Sequence, residues 1–413
     1  MEGRELPRPP RRIPPGAGSL TQLDSSTSRG PQPPPRQPWL FGRILAGFIV
    51  LLIIVAGGAA TGWWIRSQNV GPVSPEVIDA AGPEVTETVG QEVMKTAGPA
   101  VVRVLATTCA GTGEATGALI DGDRILTAAS AIEQALSIVI VTPDHRIRPA
   151  NLLGTSPDGV AVLQMIGSLD GERLSLARED PDPKAKRALI GYTAAGEQVM
   201  NPIGSAADPT ALSEVMNATK LGGPVVDKAG QVVGVVVGRT VQASRIVPLE
   251  KLRGYAVPRS TGITAVAGGS CEESRGPQTA IAPELLVANT ALAAEVQKLL
   301  GNYLTQENRR NFPALQALYS EQLARSITPV KDRRSHRTTY FFGPEITEVS
   351  RYAKDGAYAR ITFNALFSPV TTGADGRRCN RLDNRYRLVR EGGRLVIDTA
   401  VSMEKPPRSC EAE

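Results

Sequence analysis

Residues 117–130 have the sequence Gly-Ala-Leu-Ile-Asp-Gly-Asp-Arg-Ile-Leu-Thr-Ala-Ala-Ser. Two short apolar runs flank an Asp-Gly-Asp turn, which is typical of a β-hairpin. Similar Val/Ile/Leu runs recur between Gly, Asp and Pro turns, at 100–105, 136–141, 160–165, 189–192 and 232–237. Many short strands at turn-spaced intervals, with little helical periodicity, predict an all-β barrel or sandwich.

Three segments, in this order, resemble trypsin-like proteases of the bacterial HtrA type. Residues 117–130 are similar to the family's strand, turn and strand that end in Thr-Ala-Ala-His. Residues 157–163, Pro-Asp-Gly-Val-Ala-Val-Leu, are similar to its Asp-Leu-Ala-Val-Leu. Residues 221–227, Leu-Gly-Gly-Pro-Val-Val-Asp, are similar to its Gly-Asn-Ser-Gly-Gly-Pro. The resemblance implies an all-β trypsin-like double barrel over residues 93–257.

The same resemblance aligns the family's catalytic His with Ser130, its Asp with Gly159 and its nucleophilic Ser with Leu221. A serine nucleophile needs a neighbouring base, and that base needs a third group to orient it. Glycine and leucine supply no such group, and the two histidines of the chain, His145 and His336, lie in other segments. The sequence therefore predicts a catalytically dead trypsin-like peptidase with a degenerate triad.

Other residues of this region offer weaker alternatives. Asp158, one position early, would point to the opposite face of a strand unless a bulge intervened. A Ser–Lys dyad through Lys220 is a further option, although a lysine there is more often solvated. Gly222, Gly223 and Pro224 are predicted to keep the turn beside the cleft, because glycine permits backbone geometry that other residues do not. The ligand-binding residues remain unassigned.

An apolar run without charge covers residues 44–65. About 20 residues cross a bilayer core as a helix, and Trp39, Trp63 and Trp64 stand where an interfacial aromatic belt would lie. The preceding residues are rich in Pro and Arg, and residues 76–92 are acidic. These features predict a disordered cytoplasmic tail (1–40), a single transmembrane helix (41–66) and extracytoplasmic domains beyond it. A cleaved signal peptide would have a shorter apolar core nearer the chain start.

Composition restricts the remaining chemistry. The formal net charge is +5 over 413 residues, and no Lys/Arg block suggests a nucleic-acid partner. The four cysteines form no CxxC pair and only two histidines accompany them, so we expect no metal and no cofactor. An even number of cysteines outside the membrane favours two disulfides. Some membrane-anchored actinobacterial proteases resemble this arrangement. The hypothetical pairings are Cys109–Cys271 and Cys379–Cys410, with four separate buried thiols as the alternative.

Residues 283–413 resemble the NTF2-like (cystatin-like) α+β cone, with linkers at 67–92 and 258–282. Apolar residues fall at helical spacing over 296–304. Strand-like stretches follow at 338–342, 357–367, 386–389 and 395–399, the last two joined by Glu391-Gly392-Gly393. The resemblance implies a ligand-binding or dimerising module. His336, within the basic stretch 333–337, is expected in a solvated loop.

Together these features predict a membrane-anchored extracytoplasmic pseudoprotease that acts as a binding or scaffold protein in the cell envelope. Its expected partners are the membrane, an envelope protein or peptide, and a second copy through the NTF2-like domain. Two alternatives stay open. One is an active trypsin-like serine endopeptidase with an unrecognised catalytic set. The other is a transmembrane sensor that signals through the N-terminal tail.

Overall fold

The computed structural model of the protein describes residues 83–167, 169, 171–204, 209–257, 262–274, 281–371, 374 and 376–410. The predicted tail and the predicted transmembrane helix at 41–66 lie outside these residues. Within the described residues, no helix is both long enough and apolar enough to span a bilayer.

The first β structure is a closed six-stranded barrel with the strand order β1-β2-β3-β6-β5-β4, in which all neighbouring strands are antiparallel. Its core is built from Val, Leu, Ile and Ala; Ile125, Leu126, Ile140 and Leu163 are fully buried. The strands are β1 (Val101–Thr108), β2 (Thr112–Ile120), β3 (Arg124–Ala128), β4 (Ala135–Val141), β5 (Ile147–Thr155) and β6 (Val160–Met165). Closure of the barrel leaves no unpaired edge.

A five-stranded sheet with the order β11-β10-β9-β7-β8 follows. Its strands are β7 (Arg187–Tyr192), β8 (Gln198–Gly204), β9 (Pro224–Val226), β10 (Val232–Val237) and β11 (Arg245–Pro248). The double barrel expected from the sequence is thus one closed barrel and one sheet that stays open over the described residues. The edge strand β11 has only four residues and ends at Pro248, which has no N–H to donate to a further strand.

Helices and short 3₁₀ turns complete this part. They are α1 (Pro83–Ala97), α2 (Pro209–Val215), α3 (Leu249–Tyr255) and the 3₁₀ turns Gly98–Ala100, Ala129–Ala131 and Ala218–Lys220. Helix α1 buries Val93 and Ala97 in the barrel core. The described part of the predicted linker 67–92 is therefore helical, because these apolar residues have a core to pack against.

The C-terminal part places its helices before a sheet that is antiparallel except for one short parallel strand, which precedes the helices; this is an α+β order. The helices are α4 (Ala291–Asn308), α5 (Phe312–Leu315), the 3₁₀ turn Gln316–Leu318, α6 (Glu321–Ser326) and α7 (Pro329–Ser335). The sheet has the order β12-β13-β14-β15-β16, and β17 pairs with β15. Its strands are β12 (Glu284–Leu285), β13 (Tyr340–Tyr352), β14 (Gly356–Leu366), β15 (Cys379–Glu391), β16 (Arg394–Ser402) and β17 (Arg408–Ser409). Helix α4 packs Val296, Leu300 and Leu304 onto this sheet.

The barrel and the C-terminal sheet share an apolar cluster, which we call the shared core. The barrel contributes Leu105, Val139, Val141 and Ile147, and the C-terminal part contributes Tyr340, Phe342, Leu366, Cys379 and Cys410. The Thr107 hydroxyl donates to the Thr338 carbonyl over 3.0 Å within the same contact. The structure contains the disulfides Cys109–Cys271 and Cys379–Cys410. The second of these lies inside the shared core.

Candidate functional site

A groove of about 620 Å³ lies beside the 3₁₀ turn Ala129–Ala131 and holds two of the three aligned triad positions, Ser130 and Gly159. Other chain segments complete the lining. These are residues 132–134, 152, 155–158, 237–239, 243, 245 and 266–267. Glu133 and Arg239 are exposed on its wall, so the groove carries both signs of charge.

Ser130 stands in the turn that follows β3. Its hydroxyl donates a hydrogen bond of 2.6 Å to the carbonyl of Gly238, which also lines the groove. This bond ties the barrel to the end of β10 across the groove. The hydroxyl proton is therefore engaged by a backbone acceptor.

Gly159 lies in the turn between β5 and β6, with φ of 88°. Its carbonyl accepts from the Ala129 amide over 2.9 Å, which brings the first two aligned positions side by side. A Cβ at Gly159 would meet only Val237, at 3.8 Å. The cost of a side chain at this position is therefore set by the left-handed backbone rather than by crowding.

Asp158 lines the groove, and its carboxylate accepts hydrogen bonds from two residues of helix α3. Its carboxylate accepts from Lys251 Nζ over 2.7 Å and from the Tyr255 hydroxyl over 2.6 Å. The hydrogen bond from Lys251 and that from Tyr255 lower the pKa of Asp158. The Arg245 guanidinium donates to the Asp158 carbonyl over 2.6 Å. Asp158 thus fastens the groove wall to α3 and carries a stable negative charge there.

Leu221 comes to the same region from the other sheet, but its side chain points into a core. It is 7% exposed and belongs to an apolar cluster with Ala128, Val233 and Val236. Its carbonyl accepts from the Thr116 amide over 2.9 Å and its amide donates to the Ala218 carbonyl over 3.3 Å. The three aligned positions therefore converge around Ala128–Ser130, with two facing the groove and one packed behind it.

The Gly222-Gly223 turn fixes this convergence. Gly222 has φ of 82° and its amide donates to the Val236 carbonyl over 2.7 Å. A Cβ there would lie 2.2 Å from the Thr116 carbonyl oxygen and 2.7 Å from the Ala128 amide nitrogen. Only glycine lets the turn approach β2 and β3 so closely.

Lys220 is buried, not solvated as the sequence suggested. It is 7% exposed, and its ammonium donates to Asn201 Oδ1 over 2.6 Å and to the Val215 carbonyl over 2.5 Å. Burial lowers the pKa of Lys220. The tertiary contacts of β8 and the end of α2, which no local pattern reveals, account for this position.

His145 lies on the hairpin between β4 and β5, where its φ is 64°, and is exposed. His336 is not in a solvated loop. It follows α7 directly, its side chain is 25% exposed, and its ring packs edge-on against Phe341 with 5.7 Å between ring centroids. Two of the basic residues near it are paired, since Arg333 and Arg337 form ion pairs with Glu273.

Comparisons with known proteins give a family match and similar solved structures. Residues 115–235 match the family model described as "Trypsin-like peptidase domain". The active form of the Rv3671c protease from M. tuberculosis is similar, with 22% identity, a TM-score of 0.37, and coverage of 49% of this chain and 98% of that one. The serine endoprotease from Yersinia pestis has 20% identity, a TM-score of 0.36, and coverage of 40% and 64%, respectively. The comparison with curated proteins gives no match.

These findings correct one prediction. The sequence predicted that the chain is not an enzyme, but the family that matches residues 115–235 is one of peptidases. The prediction of a catalytically dead protein is therefore wrong. It rested on aligning three short motifs, whereas the family match extends over β2 to β10. The chain contains a trypsin-like peptidase domain.

Proposed function

We propose that this protein is anchored in a membrane and binds extended polypeptide segments in the groove of its trypsin-like domain, on the outer side of that membrane. The groove itself carries the proposal. It is about 620 Å³ in volume and is lined largely by turns, which include the glycines Gly159 and Gly238. Such a lining offers main-chain partners to a peptide of varied sequence.

The edge of the five-stranded sheet supports an extended ligand. Strand β11 pairs only with β10 among the described strands, and Arg245, its first residue, lines the groove. An incoming strand that pairs with an exposed edge gains main-chain hydrogen bonds, while neighbouring pockets select side chains. Glu133 and Arg239 would add charge selection at the two walls.

The membrane anchor and the C-terminal module belong to the same proposal. The uncharged run at 44–65, with the Arg-rich segment before it, supports an anchor with an extracytoplasmic groove. The helices and antiparallel sheet after residue 283 support an NTF2-like module that binds a ligand or a second copy. Such a protein would hold a polypeptide partner at the cell envelope.

Filling the groove tests the proposal. Ala267 is exposed and lines the groove, so an Ala267→Trp variant would occupy it without disturbing a core. Peptides selected from a random library on the purified full-length chain should bind the variant at least ~10-fold more weakly, which corresponds to about 1.4 kcal/mol. Fluorescence anisotropy of labelled peptides measures the change.

The matched control is Ala195→Trp, at another exposed alanine, on the β7–β8 hairpin. It should leave peptide affinity unchanged within about twofold, because it adds the same bulk outside the groove. Equal loss in both variants, or failure of any peptide to enrich on the wild-type chain, would contradict binding in the groove.

A second candidate function is favoured by the match to a peptidase family: a trypsin-like serine endopeptidase that uses a catalytic set other than the aligned positions. Fluorophosphonate labelling of the full-length chain, with casein cleavage measured alongside, separates the two functions. Stoichiometric labelling with cleavage would identify the nucleophilic serine. Peptide binding without either would support a binding protein.

A further inference from the structure

Three potential metal ligands meet in the C-terminal part, far along the chain from the groove. Glu307 comes from the last turn of α4, and Asp332 and His336 stand four residues apart at α7, on one face of its helical turn. Each side chain offers one ligand atom, and the three atoms lie within 4.8 Å of one another. Nδ1 of His336 is 3.5 Å from Oε2 of Glu307.

Glu307 is the unusual member of this cluster. It is 1% exposed, and neither of its carboxylate oxygens has a hydrogen-bond partner among the residues that the structure describes. An ionised carboxylate in such a place is costly unless a counter-charge compensates it. Asp332, 5% exposed, accepts one hydrogen bond of 3.1 Å from the Tyr319 hydroxyl. The two buried carboxyl groups thus accept one side-chain hydrogen bond in total from the described residues.

The neighbouring Arg310 does not complete the cluster. Its guanidinium donates to the backbone carbonyls of His336 and Thr339. Those bonds direct the guanidinium to the main chain rather than to the Glu307 carboxylate.

We propose that Glu307, Asp332 and His336 bind a divalent transition-metal cation of the zinc class. An imidazole with two carboxylates is a ligand set that such cations accept, and three protein ligands leave a position for water or a substrate. Bonds of about 2.0–2.1 Å in tetrahedral geometry place ligand atoms about 3.3 Å apart. The three ligand atoms of the cluster, which all lie within 4.8 Å of one another, are near this spacing.

Two further observations fit a cation. A cavity of about 370 Å³ opens beside the cluster and is lined by Asp332 and His336, so ions and water have access. Nδ1 of His336 also lies 3.1 Å from the Asp332 carbonyl oxygen, which orients the ring and leaves Nε2 as the nitrogen that would bind the cation. Backbone partners of this kind commonly orient metal-binding histidines. The sequence predicted no metal site. These ligands form no recognisable motif, because they lie 25 and four residues apart and include no cysteine.

The chain supplies a matched pair of variants, since it has only two histidines. After treatment with a chelator, the full-length chain should bind about one equivalent of Zn²⁺ per chain in equilibrium dialysis. His336→Ala should weaken binding at least ~10-fold. His145→Ala, at the exposed hairpin, should leave it unchanged. Glu307→Gln, which keeps the shape of the side chain, should also weaken binding at least ~10-fold.

Wild-type protein alone gives a second test that no folding defect can obscure. Co²⁺ bound to a mixed nitrogen and oxygen site should give visible absorption bands that Zn²⁺ displaces and Mg²⁺ does not. Absence of these bands together with less than about 0.2 equivalents of Zn²⁺ in dialysis would overturn the proposal. Equal losses in His145→Ala and His336→Ala would also overturn it, because they would indicate binding elsewhere.

Discussion

Gly222→Ala is expected to destabilise the protein by roughly 3–5 kcal/mol. The new Cβ would lie 2.2 Å from the Thr116 carbonyl oxygen and 2.4 Å from Thr127 Oγ1, so backbone must move. The φ of 82° adds the cost of a left-handed conformation that alanine rarely adopts. Because Gly222 joins β9 to β2 and β3, the variant should also weaken peptide binding in the groove. Guanidinium unfolding followed by circular dichroism measures the first effect.

Gly122→Ala is the control for this experiment. Gly122 has φ of 72° in the β2–β3 turn, but a Cβ there would meet nothing within 4 Å. The variant should therefore be destabilised by the left-handed conformation alone, by about 1 kcal/mol. A loss at Gly222 no larger than that at Gly122 would show that the close approach to β2 and β3 does not stabilise the fold.

Removing the Cys109–Cys271 disulfide is expected to have the other large effect. The two residues are separated by 162 positions, so the disulfide closes a ring that includes barrel strands β2 to β6 and the five-stranded sheet. The chain-entropy relation gives about 5 kcal/mol for a ring of this size. The double variant Cys109→Ser/Cys271→Ser should lose this amount in guanidinium unfolding, mainly because the unfolded chain gains freedom.

The surroundings of the two cysteines allow a loss of stability to be attributed to the disulfide itself. Both are only partly buried, so serine replaces them without a cavity. Each single variant should match the double variant, because either one opens the ring. Ser270→Ala, an exposed neighbour, should change stability by less than about 0.5 kcal/mol. A double variant that loses less than about 1 kcal/mol would contradict the assignment of the disulfide as the main covalent constraint.

Local sequence pattern was sufficient for several elements. Strands 160–165 and 232–237 were predicted with the bounds that the structure has, because glycine turns at 159 and 230 mark their starts. The sequence also predicted the strand–turn–strand within 117–130 and the helical spacing over 296–304. In these segments the apolar period, the turn residues and the tertiary environment all favour the same structure.

Other features depended on contacts that no local pattern contains. The sequence predicts a linker up to residue 92, yet residues 83–92 begin helix α1, which Val93 and Ala97 attach to the barrel core. Lys220 and His336 were expected in solvent because they stand in polar stretches, yet both are enclosed by distant segments. Glu307 gave no signal at all, because a single glutamate in a helix is ordinary until its neighbours are known. Functional groups in this chain are therefore assembled by tertiary structure.

The shared core has an evolutionary consequence. Val141 of the barrel and Tyr340 of the C-terminal sheet fill the same apolar volume, so a larger residue at one position needs a smaller one at the other. Natural variants of this protein should therefore change size in compensating pairs across this boundary. Exchange of the C-terminal part for that of a distant relative should fail unless the barrel positions are exchanged with it. We therefore expect the two parts of the chain to be inherited as one unit.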